Sequence, residues 1–111
     1  MMKQCEIWQT DLNPVTGSEQ HGIGPVVIIS GNLLNQYLPV VIVCPLTTRI
    51  KGYKGNLILE PDRQNGLSQR SEVMIFHIRS VSKERLIRRI GAIPEAQLEQ
   101  IKKGLGDILR Y

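Results

Sequence analysis

Short apolar segments follow one another along the first half of the chain in the pattern of β-strands. Residues 6–12 alternate between apolar and polar side chains and end at Asn13-Pro14, a strong turn signal. Residues 25–30 and 40–44 are uninterrupted β-branched runs, which is typical of strands buried on both faces, and we expect Pro45 to end the second.

The second half of the chain adds shorter strands and one helix. Further strands are predicted at residues 56–59, 72–78 and 88–92, and helical turns within 31–38 and 82–86. Pro94 fits the first position of a helix, and Glu95 suits its positive end. Five apolar residues then share one helical face: Leu98, Ile101, Leu105, Ile108 and Leu109. Gly104 and Gly106 weaken this helix by about 1 kcal/mol each. The pattern predicts a small antiparallel β-barrel capped by a C-terminal helix, with an open α+β sheet as the alternative.

Length and composition indicate one soluble domain spanning residues 1–111. The 111 residues suffice for a single hydrophobic core, and 41% hydrophobic residues exclude a disordered chain. No run approaches the roughly 20 apolar residues of a membrane span, and the N-terminus lacks the pattern of a signal peptide. We therefore expect a cytoplasmic protein. Its two cysteines, Cys5 and Cys44, should be reduced packing residues, and no metal or cofactor is predicted.

Positive charge is concentrated in the centre of the chain. The net charge of +4 and the pI of about 9.3 favour a polyanionic partner. The central basic residues are Arg63, Arg70, Arg79, Lys83, Arg85, Arg88 and Arg89. Residues 6–19, in contrast, are acidic or neutral, and such an uneven distribution suits a phosphate-binding surface. Ordinary solvated strands and loops are the alternative interpretation.

A polar, glycine-rich loop at residues 15–24 contains four different functional groups in succession. Ser18, Glu19, Gln20 and His21 supply a hydroxyl, a carboxylate, an amide and an imidazole in succession. Such a group can bind phosphate oxygens and move protons. From the residues alone, a merely polar loop is the other interpretation.

Several short motifs in a fixed order identify a family resemblance. They are Glu-Ile-Trp at 6–8, Asp-Leu-Asn-Pro at 11–14, Gly-Ser-Glu-Gln at 17–20, Val-Ile-Val-Cys-Pro-Leu-Thr-Thr at 41–48, Gly-Leu at 66–67 and Ile-Arg-Ser-Val at 78–81. This order, which spans nearly the whole chain, resembles the MazF/PemK toxins of type II toxin–antitoxin systems. The resemblance implies an SH3-like β-barrel, a homodimer, an antitoxin with an acidic, partly disordered segment, and sequence-specific cleavage of single-stranded RNA without metal.

The implied cleavage step uses the RNA's own 2′-hydroxyl. This group attacks the adjacent phosphorus and leaves a 2′,3′-cyclic phosphate and a 5′-hydroxyl. The step needs a proton acceptor, a proton donor to the leaving oxygen, and stabilisation of the phosphorane charge. DNA lacks the 2′-hydroxyl, so it should not be cut.

The resemblance assigns this work to a threonine after the second buried strand and to an arginine just before the proline that opens the first. The threonine matches Thr47, with Thr48 as a substitute, but the arginine position is occupied by Gly24. Glycine supplies neither charge nor proton, and losing one transition-state donor costs about 10²–10³ in rate. We therefore expect a protein that binds RNA and antitoxin but cuts poorly, unless His21 or His77 compensates.

The remaining candidate residues are assigned to catalysis or to RNA contact, and some of them have a structural role as the alternative. Glu19 is a candidate for orienting a catalytic group. The predicted RNA contacts are Ser18, Gln20, His21, Thr48, Lys51, Lys54, His77 and Arg79. Arg79 has an alternative role in a structural ion pair, and Trp8 is expected in the core or a dimer interface. Two other functions are weighed: a gyrase-inhibiting toxin of the CcdB type, whose C-terminal Trp-Gly-Ile is absent here, and a non-catalytic SH3-like binding module.

Overall fold

The fold is mainly antiparallel β with a C-terminal helix, as the sequence predicts. The computed structural model of the chain describes residues 2–13 and 22–111. Within them the strands are β1 (Glu6–Asp11), β2 (Ile23–Ile28), β3 (Val40–Thr47), β4 (Leu57–Leu59), β5 (Ser71–Val73), β6 (Arg79–Ser82) and β7 (Leu86–Ala92). The helices are α1 (Asn32–Tyr37) and α2 (Glu95–Arg110). Two 3₁₀ turns, Ile75–His77 and Lys83–Arg85, flank β6.

The strands form an open barrel. Their order is β4-β5-β3-β2-β1-β7, with β6 also pairing with β3, so no pairing between β4 and β7 closes the described sheet. The chain after β4 bridges the gap instead, because the Ala92 amide donates to the Gln64 carbonyl at 2.9 Å. Gly66 has a φ of +66°, and a Cβ there would lie 2.3 Å from the Ile90 carbonyl oxygen. Only glycine allows this close approach.

The sheet buries apolar side chains on both of its faces. In β2, Val27 belongs to a first core cluster, whereas Val26 belongs to a second. In β3, Cys44 likewise belongs to the first cluster and Val43 to the second. Because successive side chains of a strand point to opposite faces, β2 and β3 separate the two clusters. This arrangement explains their unbroken apolar runs and confirms that both strands are buried on both faces.

Helix α2 covers the first cluster with only part of its apolar face. Leu98 and Ile101 are fully buried, whereas Ile108 and Leu109 are 42% and 79% exposed. The predicted continuous face is therefore wrong for the last turn, which extends past the core. Pro94 is the N-cap residue, in an extended conformation, rather than the first helical residue. No helix in residues 2–13 and 22–111 is long and apolar enough to cross a membrane.

Two predicted strand boundaries are wrong for related reasons. Pro45 does not end β3, which continues to Thr47. Near this residue the strand that pairs with β3 changes from β6 to β5. The Pro45 carbonyl still accepts the Met74 amide at 2.8 Å. Residues 72–78 are not one strand. The chain leaves β5 at Met74 and makes a 3₁₀ turn in which the His77 amide donates to the Met74 carbonyl, before β6 begins.

The two cysteines are free thiols that pack against the first core cluster, which confirms their packing role. Burial raises the pKa of the Cys44 thiol to about 12. Trp8 is half-buried against the second cluster, in agreement with a core position, and its indole N–H donates to Glu6 Oε1 at 3.0 Å.

Candidate functional site

Gly24 and Thr47 lie on the neighbouring strands β2 and β3. The pairing of β2 with β3 sets Val26 opposite Pro45 and Ile28 opposite Val43. The pairing ends at Val26 and Pro45, and the same register continued by two residues would bring Gly24 level with Thr47. Residues directly opposite in an antiparallel pair share a face, with Cβ atoms about 4.5–5.5 Å apart. Because side chains alternate along each strand, position 24 lies on the same face as Val26 and Ile28, and Thr47 on the same face as Val41 and Val43, which is the face of the second core cluster.

The backbone at Gly24 can accommodate a side chain. Gly24 is a buried position within β2, opposite Thr10 of β1. A Cβ built on it meets nothing within 4 Å, and its φ lies outside the left-handed range that favours glycine. No feature of the described residues around it therefore requires glycine at this position.

Thr47 is a half-buried residue whose hydroxyl has a local partner. Its Oγ1 accepts the Arg49 backbone N–H at 3.1 Å, a contact that turns the chain at the end of β3. This is the structural role that a strand-end hydroxyl often has. The hydroxyl proton is not used in that contact, so Thr47 can still donate a hydrogen bond to a phosphate oxygen.

A cavity of about 260 Å³ opens beside Thr47. It is lined by Thr47, Arg49, Lys51, Tyr53, Met74, Phe76 and His77. Two cationic side chains and two aromatic rings thus surround the candidate catalytic hydroxyl. Such a combination suits a single-stranded nucleic acid, which offers phosphates and unstacked bases. Gly24 is not part of the lining.

The structure separates Thr48 from Thr47. Thr48 lines a different cavity, of about 350 Å³, together with Gln9, Pro25, Gly66, Leu67, Ser68, Gln69, Ser71, Arg88 and Ile90. Consecutive residues at the end of a strand face opposite sides of a sheet. Of the two threonines, only Thr47 therefore shares a face with Gly24.

The predicted RNA-contact residues fall into three groups. Lys51 and His77 line the cavity beside Thr47, and the Nδ1 atom of His77 is buried without a hydrogen-bond partner among the described residues. Lys54 lies farther along the same loop, against α2. The third group, Ser18, Glu19, Gln20 and His21, lies outside the described residues.

Arg79 lies at the base of the polar loop. Its Nη1 donates to the Leu12 carbonyl at 3.2 Å, and the Leu12 amide donates to the Gly22 carbonyl at 2.9 Å, which brings the two ends of the loop together. Arg85 makes a similar contact with the Asp11 carbonyl at 3.4 Å. Within the described part of the chain Arg79 makes this structural hydrogen bond and no ion pair, and its predicted roles in RNA contact or in an ion pair stay predictions.

Sequence reasoning missed Glu72, a fully buried carboxylate opposite Thr47 in the β3–β5 pairing. It accepts four hydrogen bonds from residues 51–56. Burial opposes ionisation of Glu72, but hydrogen bonds from the Asn56 side chain and from three backbone amides lower its pKa below its ordinary value. Nothing in the sequence reveals these partners, because most of them are backbone N–H groups. No cluster of potential metal ligands occurs among residues 2–13 and 22–111.

This fold is that of a known class of bacterial toxin. Residues 3–109 match the family described as PemK-like, MazF-like toxin of type II toxin–antitoxin system, and the chain belongs to this family. The resemblance seen in the sequence motifs is thereby confirmed.

Named relatives agree with this assignment. The chain is 33% identical over 106 residues to endoribonuclease MazF of Staphylococcus saprophyticus, which covers 95% of this chain and 88% of that protein. The crystal structure of MazF from Deinococcus radiodurans superposes with a TM-score of 0.85 at 25% identity, over 99% of this chain and 97% of that one. A MazE-MazF structure from the same organism gives 0.78 at 27% identity, over 97% and 95%.

Proposed function

We propose that this chain is an RNA-binding toxin of the endoribonuclease type whose catalytic centre is Thr47 together with the position of Gly24. The observation that supports the proposal is the alternation of side chains along β2 and β3, by which the two positions belong to one face of the sheet. The Staphylococcus relative is named an endoribonuclease, and the chain covers most of its length. The chain binds single-stranded RNA, but it cuts this RNA poorly because Gly24 provides no guanidinium.

The proposed reaction is metal-independent attack of a ribose 2′-hydroxyl on the adjacent phosphorus. Thr47 donates a hydrogen bond to a phosphate oxygen, and the neighbouring cations Arg49 and Lys51 stabilise the charge of the phosphorane. An arginine at position 24 would add a fixed donor on the same face. His77, which shares the cavity with Thr47, is the histidine best situated to move a proton in its absence.

The RNA path is proposed to follow the cavity beside Thr47. Lys51 supplies charge for phosphates, and the rings of Tyr53 and Phe76 supply stacking surfaces; both rings are nearly half exposed. Thr48, Lys54 and Arg79 are secondary contacts on either side. The remaining proposed site residues, Ser18, Glu19, Gln20 and His21, lie outside the described residues, and their roles are proposed from the family resemblance alone.

A homodimer and an antitoxin are proposed as the partners. Support comes from family membership and from the MazE-MazF structure of Deinococcus radiodurans, an assembly with a partner. We propose that the antitoxin's acidic segment competes with RNA for the basic cavity, since both ligands are polyanionic. A cytoplasmic location follows from the proposed RNA substrate.

A binding-only protein is the second candidate function, favoured by the absence of a side chain at Gly24. Within the family, a domain that binds RNA or an antitoxin without cutting would tolerate glycine at this position. Gyrase inhibition of the CcdB type has no comparable support, because the family match is to the PemK-like and MazF-like toxins.

The deciding experiment adds the missing side chain. Cleavage of a long single-stranded RNA is measured in EDTA for the native chain, for Gly24→Arg and for Gly31→Arg. Gly31 is a matched control, because it is exposed, has a φ of −66° and leaves the same open space around a Cβ. It therefore gains the same charge outside the site.

We expect only Gly24→Arg to gain activity, by about 10²–10³ over the native chain, with 2′,3′-cyclic phosphate ends. Equal cleavage by all three proteins would contradict the role of position 24 and leave His77 as the proton carrier. RNA binding without cleavage by any of them would establish the binding-only function.

A further inference from the structure

The side chain of Glu72 is wholly enclosed by the loop that follows β3. Its Oε1 accepts the backbone N–H groups of Lys51 at 2.6 Å and Gly52 at 3.1 Å. Its Oε2 accepts the Tyr53 N–H at 3.1 Å and the Asn56 side-chain amide at 2.9 Å. Both carboxylate oxygens are thus occupied by donors from one short segment.

Burying a carboxylate is costly unless hydrogen bonds replace its hydration. Glu72 has no exposed surface, and its four donors meet this requirement. The consecutive amides of residues 51–53 form a concave anion-binding turn of the kind that also holds phosphates. Here the protein's own carboxylate fills that turn, so the turn positions the loop and is not itself a site for RNA.

Asn56 extends the same network to the opposite wall of the cavity. Its Nδ2 donates to Glu72, and its Oδ1 accepts the Ile75 N–H at 3.2 Å. Ile75 begins the 3₁₀ turn that carries Phe76 and His77. One buried carboxylate therefore fixes both the loop at residues 51–56 and the turn at residues 75–77.

Ring contacts link the loop at residues 51–56 to the turn at residues 75–77. The Tyr53 and Phe76 rings meet edge to face with centroids 5.4 Å apart, and Phe76 meets the His77 ring at 4.6 Å. From outside, the Gly55 carbonyl lies against α2 at Gly104, where a Cβ would be only 2.6 Å from the oxygen. The loop is thus held by Glu72 on its inner side and by Gly104 on its outer side.

We propose that Glu72 is a positioning residue for RNA recognition. It holds Lys51 and Tyr53 facing His77 beside Thr47 before any RNA arrives. This inference rests on the proposed function, because it concerns the same cavity. A loop ordered in advance binds more tightly, since ordering two mobile side chains on binding costs about tenfold in affinity.

The test uses the native chain, whose Gly24 allows RNA binding to be measured without cleavage. The dissociation constant of a fluorescent single-stranded RNA is compared for the native chain, Glu72→Gln, Gly104→Ala and Asp62→Asn. Asp62→Asn is the matched control, because the Asp62 carboxylate also accepts a loop amide, that of Asn65 at 2.7 Å, but in the loop after β4. Hydrogen exchange of the amides of residues 51–53 reports on the loop directly.

We expect Glu72→Gln to bind RNA about tenfold more weakly and to exchange these three amides faster, while core amides are unchanged. Gly104→Ala should weaken binding as well, although it leaves the carboxylate intact, and Asp62→Asn should bind like the native chain. In a Gly24→Arg background that cuts RNA, Glu72→Gln should raise KM at nearly constant kcat. Partial unfolding would instead lower kcat at constant KM.

Two outcomes count against the proposal and differ in what they overturn. Unchanged RNA affinity in Glu72→Gln, with faster exchange of the three amides, overturns the positioning role alone. Failure of the native chain to bind any RNA offered overturns the proposed function, and the positioning role with it.

Discussion

Two regions meet at Thr47, and they differ in how completely they are built. On one side, Gly24 carries no side chain, and a Cβ there would have no described neighbour within 4 Å. On the other side, Glu72, Asn56 and the loop between them form a cavity wall in which every carboxylate oxygen has a partner. The wall proposed to bind RNA is therefore complete, whereas the position proposed for catalysis has no side chain.

The difference also shows where the fold is sensitive to sequence. At Gly24 the strand pairs normally and a Cβ has no neighbour within 4 Å, so replacing the residue leaves the core untouched. Gly104, in contrast, lies where a Cβ would collide with the loop after β3. Catalytic capacity can therefore change at little cost in stability, while a change in the cavity wall alters stability and binding together.

The largest expected effect concerns the two threonines. In a Gly24→Arg background, Thr47→Ala should lower the RNA cleavage rate by about 10²–10³, because it removes a hydrogen-bond donor to the phosphorane. Thr48→Ala is the matched control, since this residue faces the other cavity. Single-turnover cleavage of RNA in EDTA measures both rates. Equal losses in the two variants would remove the argument that only Thr47 shares the face of Gly24.

The next effect is the dependence of stability on pH. The pKa of Glu72 in the folded protein lies below its ordinary value of 4.5, so the ionised carboxylate stabilises the fold above that pH. This stabilisation is lost as the pH falls through the folded pKa. Glu72→Gln should lower the free energy of unfolding at pH 7 by about 3 kcal/mol, because it weakens hydrogen bonds to a charged group.

Urea unfolding of both proteins between pH 7 and pH 2 measures this dependence. The difference between them should narrow below pH 4.5, because protonated Glu72 and glutamine are both neutral. Glu6, whose pKa is also lowered despite partial burial, contributes equally to both proteins and cancels. A difference independent of pH would mean that Glu72 is not ionised in the folded state.

How far sequence alone could predict this molecule depends on the kind of partner each residue has. The alternation in β1 and the unbroken runs of β2 and β3 are local patterns, and they predicted the strands, whereas positions 24 and 47 were singled out by the family resemblance. Glu72 was not predicted as a site residue, because its backbone donors lie 19 to 21 positions away and any residue type supplies such an N–H. The end of β5 before Met74 was not predicted for the same reason, because it involves a contact with the distant Pro45.

A smaller effect tests the outer contact of the cavity wall. Gly104→Ala should lower the free energy of unfolding by about 2 kcal/mol, because a methyl group must displace the Gly55 carbonyl and Ile75. Gly106→Ala on the same helix meets nothing within 4 Å, so it should stabilise by up to about 1 kcal/mol through helix propensity. Urea unfolding at neutral pH compares the two. Stabilisation by both substitutions would show that α2 and the loop are not in close contact.

The smallest effect concerns two neighbouring arginines on β7. Arg89 pairs with Glu6 at 3.0 Å, whereas Arg88 has no side-chain partner among the described residues and lines the cavity that contains Thr48. A free guanidinium beside hydroxyl groups suits a phosphate of RNA that continues past Thr47 over the end of β3.

If Arg88 neutralises one phosphate, Arg88→Gln should reduce the slope of log affinity against log salt by about 0.7, and Arg89→Gln should change it less. Titrations of single-stranded RNA at several salt concentrations measure both slopes. Equal slopes in Arg88→Gln and the native chain would confine the RNA to the cavity beside Thr47, whereas a larger change in Arg89→Gln would mean that RNA displaces Glu6 from its ion pair.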